Sequence, residues 1–129
     1  MVISIFQKND MEVAVKTFLR VMKALSDPTR VKILKILERR SMCVCELQTA
    51  LGTAQSTTSK HLKILEDAGL ATSYKDGLWV NYTLADGRQS PYAASLLGNL
   101  RHWLNDEEAI RAVREGVEQI DRYVILDRN

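Results

Sequence analysis

Residues 43–67 read Cys-Val-Cys-Glu-Leu-Gln-Thr-Ala-Leu-Gly-Thr-Ala-Gln-Ser-Thr-Thr-Ser-Lys-His-Leu-Lys-Ile-Leu-Glu-Asp. Two short helical patterns flank Leu51-Gly52-Thr53-Ala54. In the first, Cys43, Val44, Leu47 and Leu51 face inward, Ser41 stands where a cap would, and Gly52 suits a left-handed helix end. The second is predicted over Gln55 to Asp67, with Leu62, Ile64 and Leu65 inward and Ala68-Gly69 as its stop. Two short helices about a tight glycine turn, the second opening on polar residues, match helix-turn-helix geometry.

Downstream the period changes. Leu70–Tyr74 and Leu78–Leu84 are short β-favouring runs on either side of Lys75-Asp76-Gly77, a hairpin signal. Upstream, Met11, Val15, Phe18, Met22 and Leu25 form a narrow apolar seam that stops at Ser26-Asp27-Pro28. Asp27 reads as the cap and Pro28 as the first position of a helix running to about Arg39. From Pro91 helical spacing returns, with Leu96, Leu97, Leu100 and Leu104 in one stripe. After Asn105-Asp106-Glu107-Glu108 comes a seam of Ile110, Val113, Val117, Ile120 and Val124. The expected fold is mainly α with a small hairpin, in the order α-α-α-α-β-β-α. It is a single winged helix-turn-helix domain over residues 1–129, with 10–25 and 91–126 as dimerisation elements.

Composition narrows the function classes. No apolar run approaches the ~20 residues that span a bilayer, and the apolar start Met1–Phe6 is too short and uncharged for a signal peptide. Two cysteines one residue apart make a poor disulfide staple, so a reducing, cytoplasmic setting is expected, with no membrane partner. The net charge of +2 hides an asymmetry: residues 1–65 carry 11 Lys/Arg against 5 Asp/Glu, and residues 66–129 carry 7 against 11. A basic front half suits a polyanion. Within residues 53–88, however, basic and acidic residues balance at four each, so the excess lies in the first two helices. Neither a phosphate loop nor a paired-carboxylate or nucleophile–base spacing occurs, so an enzyme is not expected.

The second helix of the pair would enter the major groove of double-stranded DNA with its first residues at the base edges. Gln55, Ser56, Thr57, Ser59 and Lys60 occupy that turn and its outward side. Gln pairs with adenine, and hydroxyls reach base edges or phosphate. Lys60 and Lys63 suit phosphate, Lys75 on the hairpin suits backbone or minor groove, and His61 suits packing or a phosphate. A Ser/Thr-rich helix start can also be plain capping chemistry. A winged-helix module used only for protein contacts, without DNA binding, would not need Gln55, Ser59 and Lys60 outward.

Cys43 and Cys45 are the one pair with metal-binding potential. Thiolates suit soft ions, and a helix start preceded by Arg39 and Arg40 favours their ionisation. On a regular helix residues i and i+2 project about 200° apart, so one ion would have to distort the helix to reach both. Redox sensing by the pair and a core role for Cys43 are the alternatives.

Ala24-Leu25-Ser26-Asp27-Pro28-Thr29-Arg30, Cys43-Val44-Cys45-Glu46-Leu47, Gln55–Leu62, Ala68-Gly69-Leu70 and Gly77–Tyr82 together resemble the ArsR/SmtB metalloregulators. The resemblance implies a homodimeric winged-helix repressor that leaves a palindromic operator when an inducer binds. It implies trivalent arsenic or antimony at Cys43 and Cys45 as that inducer, with no resident cofactor required. The third cysteine that one type of arsenic sensor carries is Gln48 here, and the family's zinc pattern is absent around His102, which follows Leu100 by two. A dimer would be built by Val15, Phe18 and Met22 with Val113, Val117 and Ile120.

Overall fold

The structure is a computed structural model that describes residues 2–121 and 124–125, with side chains from residue 10 onward. The first helix, α1, spans Val2–Ala24. Its inner side puts Val21 and Ala24 fully into the core. The chain then turns at Asp27, whose carboxylate accepts from the Thr29 and Arg30 N–H groups at 2.8 and 3.1 Å. With Pro28 at the first position, that cap starts α2, Pro28–Leu37. Arg30 fastens the corner: its Nε donates to the Ala24 carbonyl at 2.7 Å and its Nη2 to the Lys23 carbonyl at 3.0 Å. The exposed end of α1 is thereby satisfied by a side chain from the next helix.

Next comes β1, Met42–Cys43, which leads without a break into α3, Val44–Leu51. Gly52 ends α3 at φ 68°, its N–H on the Gln48 carbonyl at 2.9 Å. After the turn, α4 runs Gln55–Asp67. The strands β2, Ala71–Asp76, and β3, Trp79–Leu84, form an antiparallel hairpin. Sheet order is β1-β3-β2, with Met42 opposite Tyr82 and Cys43 opposite Asn81. Ser90 caps α5, Pro91–Leu100, through the Ala93 N–H at 3.0 Å, and α6, Glu108–Glu118, follows. This is a winged helix-turn-helix: α3 and α4 are the two-helix unit and β2–β3 the wing. Among the described residues no helix is long and apolar enough to cross a membrane.

Several features differ from the sequence expectation: α1 begins at Val2, ahead of the expected residue 10, and α3 is capped by Cys43 in place of the expected Ser41. The order gains β1, a strand made by pairing with β3 and invisible to local periodicity. The expected terminal element 91–126 is two helices, parted where Leu104 adopts φ 67°. Its residues 122, 123 and 126 lie outside the described ones. Finally, Lys75 and Asp76 belong to β2, and the turn is Gly77-Leu78 with Gly77 at φ 60°.

The core is one cluster in which Leu34, Leu47, Leu62, Leu65 and Leu70 are fully buried. Each such side chain contributes about 2 kcal/mol relative to exposure. Lys35 is also fully buried. Its Nζ donates to the Leu100 carbonyl at 2.6 Å and pairs with Glu38 Oε1 at 2.7 Å. Arg114 of α6 reaches the same Glu38 oxygen at 2.9 Å and the Lys35 carbonyl from Nε and Nη2 at 3.2 and 3.0 Å. One carboxylate thus joins α2, the end of α5 and α6. Burial holds the Arg114 guanidinium below its usual value against the pull of Glu38.

Candidate nucleic-acid interface and thiol pair

Helix α4 turns its core side, Thr58, Leu62 and Leu65, onto α3 and the body. That leaves Gln55, Ser56, Thr57, Ser59, Lys60 and Lys63 exposed along its outer side. The N-cap is Ala54, with no side-chain cap bond. The Ser/Thr-rich opening of α4 is therefore not its cap, which removes the plainer explanation of those hydroxyls. Thr58, buried in the turn, donates to the Ala54 carbonyl at 3.0 Å and lies 2.7 Å from the Thr53 hydroxyl. A buried hydroxyl needs such a local acceptor. Ile64, expected inward, is 40% exposed. It lies one turn beyond Lys60, on the outer edge.

The cations are not equivalent. Lys60 is exposed, whereas Lys63 Nζ sits 3.0 Å from Asp67 Oδ1, and that carboxylate raises the Lys63 pKa. Lys63 must exchange Asp67 for a phosphate, so it is the poorer phosphate ligand. His61 is half-buried, with Nδ1 3.2 Å from Arg30 Nη1. Arg30 can only donate, so Nδ1 accepts and His61 braces α4 against the α1–α2 corner. The wing is tied to α4 by the Ser73 hydroxyl, which donates to Glu66 Oε2 at 2.8 Å. Lys75 is exposed on β2, and Leu78 at the turn is 82% exposed.

Cys43 and Cys45 are free thiols, the first buried and the second half-buried. Cys43 has φ −80° and ψ 167°, which makes it the extended N-cap of α3, not a helical residue. The expectation that one ion must unwind a helix to reach both sulfurs fails for that reason. Ready ionisation fails for Cys43 as well. Burial, the neighbouring Cys45 thiol and the Glu46 carboxylate push its pKa up to about 12, overriding the helix start. Arg40, expected to favour the thiolates, gives its Nη2 to Glu46 Oε2 at 2.8 Å instead.

Glu46 is the residue beside the thiols that sequence reading passes over. It is 4% exposed, and its Oε1 accepts the Cys43 N–H at 3.0 Å. An acid three residues after a helix cap is the capping-box signature, here with Cys43 as the cap. Among the described residues no group of three or more His, Cys, Asp and Glu side chains is placed to hold a metal ion.

The residues expected at a subunit interface divide. Val15 is 54% and Phe18 40% exposed, Met22 is half-buried, and Met11, at 64%, continues their stripe. Phe18 also meets Tyr92 edge-on, centroids 5.4 Å apart. On α6 the outcome is different. Val117 is 7% exposed within the protomer's own core, Val113 packs against it, and Ile120 is half-buried. The α6 seam packs onto α2 and α3 within the protomer, with Val117 among the core residues.

Residues 27–73 match the family model described as bacterial regulatory protein, arsR family. The chain is 46% identical over 69 residues to an uncharacterized HTH-type transcriptional regulator from Methanocaldococcus jannaschii, covering 53% of this chain and 78% of that one. It is 34% identical over 96 residues to the arsenical resistance operon repressor of Escherichia coli, covering 74% and 80%. A homodimeric winged helix-turn-helix DNA-binding domain from Mycobacterium bovis superposes with a TM-score of 0.62 at 27% identity, covering 71% and 82%. On these matches, and on the fold and motifs above, the chain belongs to the ArsR family of bacterial regulatory proteins.

Proposed function

We propose that this DNA-binding transcriptional repressor is released from its operator by a soft, thiophilic inducer held between Cys43 and Cys45, trivalent arsenic or antimony. One observation carries the reading. Cys43 lies in β1, hydrogen-bonded to wing strand β3 opposite Asn81, while Cys45 lies in the first turn of α3, which supports α4. An ion drawing the two sulfurs together acts at once on the wing and on the helix behind the reading helix. An inducer works only through such a difference in affinity for two arrangements.

The exchange balances without a free thiolate. Trihydroxyarsenic and two thiols give a dithiolate-bound arsenic with one retained hydroxide, and two waters leave. That hydroxide fills the third position, where Gln48 offers no sulfur. The base-reading and phosphate roles go to Gln55, Ser56, Thr57, Ser59, Lys60, Lys63 and Lys75, and His61 is reassigned from phosphate to bracing. The exposed α1 stripe supports a homodimer, as does the homodimeric state of the Mycobacterium bovis neighbour. Two α4 helices about one DNA turn apart, roughly 34 Å, would favour a palindromic site.

The test is release of a duplex enriched from a random pool by the protein itself. Arsenite, antimonite, cadmium, zinc and peroxide are added in parallel. Arsenite should release the wild-type protein and leave Cys43→Ser and Cys45→Ser bound; release of both variants would refute the inducer assignment. The presence of two free thiols two residues apart supports a second, redox reading. Release by peroxide but not by arsenite would favour it.

A further inference from the structure

Helix α1 presents two faces. Met11, Val15, Phe18 and Met22 form the apolar stripe, and Lys16, Arg20 and Lys23 lie roughly 140° around the axis from it. These three cations are exposed and stand at i, i+4 and i+7, so they make one row. They line an open groove of about 540 Å³ whose far wall is α4, through Ile64 and Asp67, with Leu19 on the near wall and Arg30 beside it.

The α4 wall is a continuation of the reading helix's own cationic side. Lys60, Lys63, Ile64 and Asp67 are spaced i, i+3, i+4 and i+7, so they share a face. Asp67, the one acid among the described residues lining the groove, is paired with Lys63. Arg30 sets the geometry, because its guanidinium holds the end of α1 and His61 of α4 simultaneously. The α1 row is therefore fixed beside α4 and not left to a swinging helix. The charge distribution gives an independent argument. The unit 53–88, which carries α4 and the wing, is balanced in charge, while the basic excess lies ahead of it. A surface meant to hold a polyanion therefore draws its excess of positive charge from outside the reading elements.

We infer that Lys16, Arg20 and Lys23 form a second DNA-contacting row, which binds the phosphate backbone alongside the segment read by α4. The row adds affinity independent of sequence, while Gln55 and its neighbours discriminate between bases. This inference rests on the DNA-binding reading of α4.

The test is binding of the full chain to two duplexes of about 40 base pairs, one enriched by the protein and one scrambled, across about 50 to 200 mM salt. Each phosphate contact contributes about 0.9 to the slope of log affinity against log salt. K16Q/R20Q/K23Q should flatten that slope by nearly 3 per protomer on both duplexes, and the charge-keeping K16R/R20K/K23R should restore it. Gln55→Ala should weaken binding to the enriched duplex alone and leave the slope as it was. An unchanged slope in the triple Gln variant, with Gln55→Ala still losing discrimination, would overturn the α1 row and spare the reading helix. No effect from either the triple variant or a Gln55→Ala, Lys60→Ala change would overturn both. If sedimentation shows that the triple variant falls apart, the three single Gln variants decide. Each should flatten the slope by about 0.9, and three unchanged slopes would reject the row.

Discussion

Arg40 Nη2 lies 2.8 Å from Glu46 Oε2, while the other oxygen of that carboxylate accepts the Cys43 N–H at 3.0 Å. A half-exposed arginine ahead of β1 is thereby linked to the residue that begins α3 and carries the buried thiol. Arg40 also reaches the Ile120 carbonyl beyond α6 at 3.4 Å. The thiol pair thus sits where β1, α3 and the end of α6 are held together, a place where a small displacement is shared by several elements.

Removing the Glu46 side chain should loosen that junction. Glu46→Ala deletes the acceptor of the Cys43 N–H and costs about 1 to 2 kcal/mol, the range of a lost helix cap. Glu46→Gln keeps an oxygen for that N–H and should cost less. Arg40 itself contributes little, since its side chain is 41% exposed and surface pairs are screened. Urea denaturation of the three proteins checks the order Glu46→Ala, then Glu46→Gln, then Arg40→Gln; equal midpoints would refute it.

At the Lys35–Glu38–Arg114 cluster, the carboxylate should matter more than either cation. Glu38→Gln leaves two cations facing each other in the interior, and uncompensated buried charge costs about 3 to 5 kcal/mol. Lys35→Met leaves Glu38 paired with Arg114, and the Leu100 carbonyl keeps the Trp103 N–H at 3.1 Å, so the loss is about 0.5 to 1.5 kcal/mol. Thermal unfolding should rank Glu38→Gln well below Lys35→Met, and the reverse order would contradict this division of roles.

The Asp27 cap predicts a pH dependence with a definite sign. Burial raises its pKa, but the Arg30 and Thr29 N–H groups and the Arg30 charge outweigh that and hold it below 3.8. A lowered folded value means stability present above the unfolded value and lost as pH falls through the folded one. Asp27→Ala should therefore cost about 1 kcal/mol at neutral pH. That cost should shrink as pH falls below 3.8 and through the folded-state value, where the carboxylate protonates. A penalty independent of pH in paired urea titrations would show that the charge is not what caps α2.

What could be read from sequence was local. Asp27-Pro28 fixes its helix start and Gly52 its stop within a few residues, and α4 follows the expected Gln55–Asp67 because its ends are set by turn chemistry. What escaped depends on distant partners. β1 exists because Met42 and Cys43 find Tyr82 and Asn81, some forty residues on. Lys35 reads as a surface residue until Leu100, 65 positions away, supplies a carbonyl for it. The thiol pair is visible as a pattern, but the ionisation of Cys43 is not. Helix dipole and nearby arginines are legible in sequence, whereas the burial of Cys43 and the diversion of Arg40 to Glu46 are not. The α6 seam was legible as amphipathic, yet spacing cannot say whether an apolar face meets its own domain or another copy.

That last ambiguity gives a prediction which separates the two seams. Val117 is 7% exposed among its own protomer's core residues, so Val117→Ala should lower protomer stability by about 1 to 3 kcal/mol through lost packing. Val15, at 54% exposed, has little to lose in an isolated protomer. Val15→Asp, placed on a stripe that a second copy covers, would bury an unpaired charge and should abolish the dimer while leaving protomer unfolding nearly unchanged. Sedimentation velocity with urea titration at low protein concentration distinguishes them: one variant loses stability, the other loses mass. DNA binding should follow the mass, because two linked reading helices gain from effective concentration where one does not. If Val15→Asp still sediments as a dimer, the α1 stripe is not where two copies meet. If Val117→Ala dissociates the dimer without a stability loss, α6 serves the subunit interface and not only its own core.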